Sequence, residues 1–175
     1  MASHIKRLSD RRIQLWAVPA DEWQRILAAR DRTHPTIHYV ERSGQRRSSQ
    51  ALLNRASALG LKNLAVGGII ASRHYDSEID PRGTPRLDLT LHCPPKEKVD
   101  LSFVERIDPA LERAESRDEP AALAVHILGT RTAFFTAGVD GLPLADEVNC
   151  LLSLNDARLV AQAKEFLNRL VTRAG

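Results

Sequence analysis

The stretch Leu64-Ala65-Val66-Gly67-Gly68-Ile69-Ile70-Ala71-Ser72-Arg73-His74-Tyr75 constrains the fold more than any other. Asn63 to Val66 reads as a short apolar strand, and the glycine pair lets the backbone turn sharply into a helix over Ile69–Tyr75. A strand that turns straight into a helix belongs to a sheet covered by helices, so pure helical bundles and pure β-sandwiches are excluded. Further on, Leu87, Leu89 and Leu91 alternate with Asp88, Thr90 and His92. That is the period of a strand with one face buried, and it places Asp88 toward solvent. Ala121–Leu128 is apolar throughout and reads as a buried strand. Val99–Ile107 alternates at Val99, Leu101 and Phe103 and also reads as a strand, and Thr132–Phe135 as a short one.

Helices account for the rest. Gln45–Leu59 carries Leu52, Leu53, Ala56 and Leu59 at i, i+3, i+4 and i+7 spacing and ends at Gly60. Asp146–Leu154 and Ala157–Val171 read as two closing helices, the second lined by Leu159, Ala163, Phe166, Leu167 and Leu170. Residues 1–45 read as a basic N-terminal extension: a polar arm over Met1–Arg12 with little order, a strand over Ile13–Val18, and a helix with Trp23, Ile26, Leu27 and Arg30 on one face. That helix stops before Thr33-His34-Pro35, and a strand follows over Thr36–Val40. The predicted fold is a single α+β domain over residues 46–175, preceded by this extension. Its mixed sheet has about four to six strands packed by helices.

Composition narrows the function classes. The 175 residues are 43% hydrophobic and 27% charged, which suits a globular chain and argues against disorder, collagen and coiled coil. The apolar run Leu64–Ala71 is too short to cross a bilayer, and the basic N-terminus lacks an apolar secretory core. Two cysteines, Cys93 and Cys150, fit a reducing compartment, so a cytoplasmic protein without membrane contact is expected. Charge is uneven. Residues 1–60 hold 11 Lys/Arg against 5 Asp/Glu, and residues 61–175 hold 14 against 17. The basic first third predicts an acidic partner, nucleic acid or protein. Arg42, Arg46, Arg47 and Arg55 cluster around a strand–turn–helix boundary where the helix N-terminus also attracts anions, with Arg11 and Arg12 as further contributors.

Four constellations bear on chemistry. Gly67-Gly68 at a helix start presents backbone N–H groups that can approach a phosphate, and Asp88 on a later strand could hold a divalent metal against it. That is the layout of a nucleotidyltransferase, but the second acid expected two positions on is Thr90, and one carboxylate makes a poor metal site. Structural metal is not expected. His34 and His38 lie roughly 13 Å apart along a strand, and His92-Cys93 has no matching partner pair. Cys150 sits in an apolar helix and reads as a buried, inert thiol. Glu105, Asp108, Glu112, Glu115, Asp118 and Glu119 read as a solvated acidic surface.

The order of features is similar to a known pattern. The helix ending at Leu59-Gly60, the Val66–Arg73 turn and helix, the Pro85-Arg86-Leu87-Asp88-Leu89 strand, the apolar Ala121–Leu128 strand, Gly141–Val148 and Cys150-Leu151-Leu152-Ser153-Leu154-Asn155-Asp156 follow one another. Over residues 46–170 this resembles the C-terminal domain of type IV antitoxins of the AbiEi kind, transcriptional regulators paired with a nucleotidyltransferase-like toxin. The resemblance implies a non-enzymatic protein without cofactor, acting through a cognate toxin, DNA, or both. Two alternatives stay open: a nucleotidyltransferase-like or nucleic-acid-processing enzyme using Gly67, Gly68 and Asp88, and an interaction module of a larger assembly.

Overall fold

The computed structural model describes residues 5–7, 13–15, 20–33, 35–45, 47–80, 86–139 and 141–174; Arg11, Arg12, His34 and Arg46 lie outside them. Strands β1 (Ile5–Arg7) and β2 (Ile13–Leu15) pair antiparallel. Then come α1 (Ala20–Thr33), β3 (Thr36–Glu41), α2 (Ser49–Ala58), β4 (Leu64–Val66), α3 (Gly68–Tyr75) and β5 (Leu87–His92). The second half runs α4 (Phe103–Ile107), β6 (Leu111–Arg113), β7 (Leu123–Leu128), β8 (Thr136–Val139), β9 (Leu142–Leu144), α5 (Glu147–Asp156) and α6 (Val160–Ala174). Strands β3 to β9 form one mixed seven-stranded sheet in the order β6-β3-β7-β5-β4-β9-β8. The protein is therefore an α+β fold, with more strands than expected.

Register explains how the layers divide. Residues directly opposite each other in a sheet share a face. Ile37 lies opposite Val125 and Tyr39 opposite Leu123 across β3–β7; Leu87, Leu89 and Leu91 lie opposite Leu123, Val125 and Ile127 across β5–β7. Val66 and Leu64 face Leu89 and Leu91 across β4–β5. This face is apolar and buried, and Leu52, Leu53 and Ala56 of α2 belong to the same core. Each Leu so buried contributes ~1.5–3 kcal/mol. Ser48 caps α2 by accepting from the Ala51 N–H at 3.1 Å.

The opposite face carries Thr36, His38, His126, Asp88 and Thr90, in register across β3, β7 and β5. Helices α3 and α5 cover it. Ser153 of α5 and Thr90 of β5 both lie beside Gly67, and Asp88 lies beside Gly68 of α3. Strand β5 is thus buried on both sides, and Asp88 is only 3% exposed. The expected solvent-facing Asp88 is corrected: the alternation marks two different buried surfaces, one apolar and one polar.

Four local readings change. Val99–Ile107 is not a strand: the Asp100 carboxylate accepts the Ser102 N–H at 2.9 Å, and the chain then winds into α4. Phe103, Val104 and Ile107 all bury from one turn of that helix, a spacing the strand reading overlooked. The late short strand falls at Thr136–Val139, where it pairs with β9, rather than at Thr132–Phe135. Ile5–Arg7, read as part of an arm of little order, is strand β1. Finally, β3 lies inside the sheet between β6 and β7, so the main domain begins before residue 46.

Helix α6 closes the molecule. Phe166 is fully buried and stacks on Tyr75 of α3, ring centroids 6.5 Å apart. Phe166→Ala should destabilise by ~3–5 kcal/mol, read as a shift in the urea midpoint without a change in slope. A loss below about 1 kcal/mol would show that α6 contributes little to the core.

Candidate functional site

The polar face of the sheet holds a closed chain of ion pairs and hydrogen bonds. Arg30 comes from α1, Thr36 and His38 from β3, His126 from β7, Asp88 from β5 with Arg86 just before it, and Asp156 from the last position of α5. Asp156 is the junction. One of its oxygens accepts from Arg30 Nη1 at 3.4 Å; the other accepts from Arg86 Nη2 at 2.6 Å and from His38 Nε2 at 2.9 Å. Arg86 also gives Nε and Nη2 to Asp88 Oδ1 at 3.1 and 2.9 Å. His126 Nε2 lies 2.8 Å from the same Asp88 oxygen, and Arg30 Nη2 lies 2.8 Å from Thr36 Oγ1 and 2.7 Å from His126 Nδ1.

Hydrogen-bond chemistry fixes the protonation. A guanidinium only donates, so His126 Nδ1 must accept from Arg30. The imidazole proton is then on Nε2 and is donated to Asp88. Burial holds the His126 pKa below its usual value, against the upward pull of Asp88. Burial would raise Asp88 and Asp156, but for Asp88 the Arg86 guanidinium and the His126 hydrogen bond win. For Asp156 the His38 hydrogen bond leads, with Arg86 assisting. Both carboxylates are held ionised, and their two charges balance those of the two guanidiniums. Removing one of these four charged groups would leave an uncompensated buried charge, at a cost of ~3–5 kcal/mol.

The Gly67-Gly68 turn serves this set. Gly68 has φ +57, and a Cβ there would lie 2.4 Å from Asp88 Oδ2. Gly67 lies against the hydroxyls of Ser153 and Thr90, each 3.4 Å from a Cβ at that position, and its N–H donates to the Asp88 carbonyl at 2.8 Å. The space expected for a phosphate is filled by the carboxylate of Asp88, at the positive end of α3. Thr90, standing where a metal pair would need its second acid, is buried and faces this turn. No group of three or more His, Cys, Asp or Glu placed to hold a metal occurs among the described residues. Cys150 is fully buried, which pushes its thiol pKa well up.

The basic residues are placed differently from the expected open surface. Arg47 and Arg55 converge on Asp108, Arg47 Nε with Asp108 Oδ2 and Arg55 Nη1 at 3.1 Å from the same oxygen. Arg42 pairs with Glu119 at 2.7 Å and reaches Glu112 at 3.9 Å. Acids read as a solvated surface are thus the counterions of these arginines, and Asp108 is itself buried.

A cleft of about 440 Å³ opens outside the buried set. Its floor holds Arg30, His38, Arg86 and Asp156, and its rim holds Arg117, Asp118 and Glu119 on one side and Asn155, Ala157 and Arg158 on the other. Arg158 has φ +59, just past the end of α5. Glycine commonly takes that position, and a side chain there costs about 1–2 kcal/mol. Sequence reading singled out Asp88 and the glycines but not Arg30, Arg86, His38, His126, Asp156 or Arg158 as a site.

Two substitutions and a titration test this arrangement. Gly68→Ala should destabilise by more than ~2 kcal/mol, since positive φ and the clash with Asp88 add. The unfolded chain binds a proton at His126 more readily than the folded one. Stability should therefore be full above about pH 6.5 and fall as pH drops below it, by up to ~1.4 kcal/mol per pH unit. Asp88 and Asp156 contribute stability present above about pH 3.9 and lost as pH falls through their lower folded values. Urea unfolding between pH 7.5 and 5 should show a shallower slope in His126→Gln; an unchanged slope would show that His126 does not carry it. Comparison with protein-family models, curated proteins and solved structures finds no match to this chain.

Proposed function

We propose that this is a non-enzymatic, antitoxin-like regulatory protein that acts by binding a partner, a nucleotidyltransferase-type toxin in the first instance. The observation that carries the non-enzymatic part is the enclosure of Asp88, which is only 3% exposed. Its Oδ1 is held by Arg86 and His126, and its Oδ2 lies against Gly68. A catalytic carboxylate needs an accessible lone pair for a metal or a proton. The buried cysteines offer no nucleophile. The partner class rests on the resemblance of residues 46–170 to AbiEi-type antitoxins. No described helix is long and apolar enough to cross a membrane. DNA is the second partner to test, on the strength of the basic first third.

A nucleotidyltransferase-type toxin should be encoded next to it, and co-expression of the two should restore growth and give a complex on size exclusion. The purified protein should transfer no nucleotide with Mg²⁺ or Mn²⁺. Asp88→Asn should lower the melting temperature, since Arg86 loses one of its two carboxylate partners, with no activity to lose. A metal-dependent transfer that Asp88→Asn abolishes while circular dichroism stays native would overturn the reading. If DNA binds instead of the toxin, Arg47→Ala should lower the salt slope by about one unit.

A further inference from the structure

We propose that the cleft between the 117–121 loop and the 155–158 turn binds a small molecule carrying a phosphate group. This site is separate from the Gly67-Gly68 turn, and its occupancy does not depend on the regulatory reading above.

The floor of the cleft has donors to spare. Arg86 spends Nε and Nη2 on Asp88 and Asp156, and its Nη1 has no acceptor among the described residues. Arg30 spends Nη2 and one Nη1 hydrogen, and its Nε and second Nη1 hydrogen have no acceptor among the described residues. Their side chains are only 12% and 6% exposed, yet both line the cleft. The guanidinium nitrogens that remain border the cleft and are open to an oxygen acceptor entering it. Asp156 grips the two groups by its two oxygens, so they form a fixed pair rather than two mobile chains.

The rim adds charge that can be redirected. Arg158 pairs with Asp118 at 2.8 Å, but both side chains are more than 70% exposed, and such a pair is weak enough to yield to a better acceptor. Arg117 lines the same wall. Two of the three acids lining the cleft are committed elsewhere, and the third, Asp118, is the exposed partner of Arg158. Glu119 accepts from the Glu115 and Ser116 N–H groups and from Arg42, and Asp156 from Arg30, Arg86 and His38. Four guanidiniums around one opening suit the three terminal oxygens of a phosphate monoester better than the two of a carboxylate. The volume lies within the range of small-molecule sites. The positive φ of Arg158 fits the same account: the chain keeps a strained arginine where glycine would relieve the backbone.

Calorimetric titration with inorganic phosphate and with adenosine monophosphate, at ionic strength held constant with chloride, should give saturable binding and a raised melting temperature. Acetate and succinate at the same ionic strength should give neither. Arg158→Gly should raise the melting temperature of the ligand-free protein and weaken phosphate binding by roughly tenfold, a pairing that a purely structural arginine would not produce. Arg117→Ala should weaken phosphate binding, with succinate and chloride controls unchanged. Equal stabilisation by chloride, succinate binding tighter than phosphate, or undiminished phosphate affinity in Arg158→Gly would each overturn the proposal.

Discussion

The Asp156 carboxylate, gripped by Arg30 on one oxygen and by Arg86 and His38 on the other, holds the molecule's least tolerant region together. It joins α1, β3 and the start of β5 to the end of α5. Through Arg86 and Arg30 it also sets the positions of Asp88 and His126. A helix laid on an apolar sheet face can shift by a fraction of a turn and repack. A helix whose last residue must meet two guanidiniums and an imidazole cannot. The polar layer contributes geometry more than net energy, since desolvating these charges consumes much of what their attraction returns.

How much of this was legible differs between the two sides of the sheet. The apolar side followed from the sequence because Leu52, Leu53, Ala56, Leu87, Leu89 and Leu91 bury for one reason, contact with one another. The polar side did not, because Leu-Asp-Leu-Thr-Leu reads alike whether its polar positions meet water or a buried counterion. Two signals were available. His126 interrupts an otherwise apolar strand, and Arg30 sits on the helix stripe of Trp23 and Leu27. A titratable residue inside an apolar pattern asks for a partner, but sequence spacing does not say which one. Arg30 and Asp156 are 126 positions apart.

The arginines of the first third teach the converse. Charge counting along the chain treated Arg47, Arg55 and Asp108 as members of separate regions with opposite surplus. The fold places α2 against α4, so that two cations meet one buried acid. Opposite surpluses in two halves of one chain are as ready to satisfy each other as to recruit a partner.

The chain order of the polar face bears on synthesis. Strands β3, β4, β5 and β7 and helix α2 are complete before residue 129 leaves the ribosome, so the apolar core can assemble as the chain emerges. Asp88, His126 and Arg86 cannot be enclosed until residues 147–156 follow. Until then water reaches those groups from the side that α5 later covers, and part of the desolvation is deferred. The docking of α5 is therefore the step that brings Asp156 to these groups, and the cleft beside Asp156 first exists once it is made.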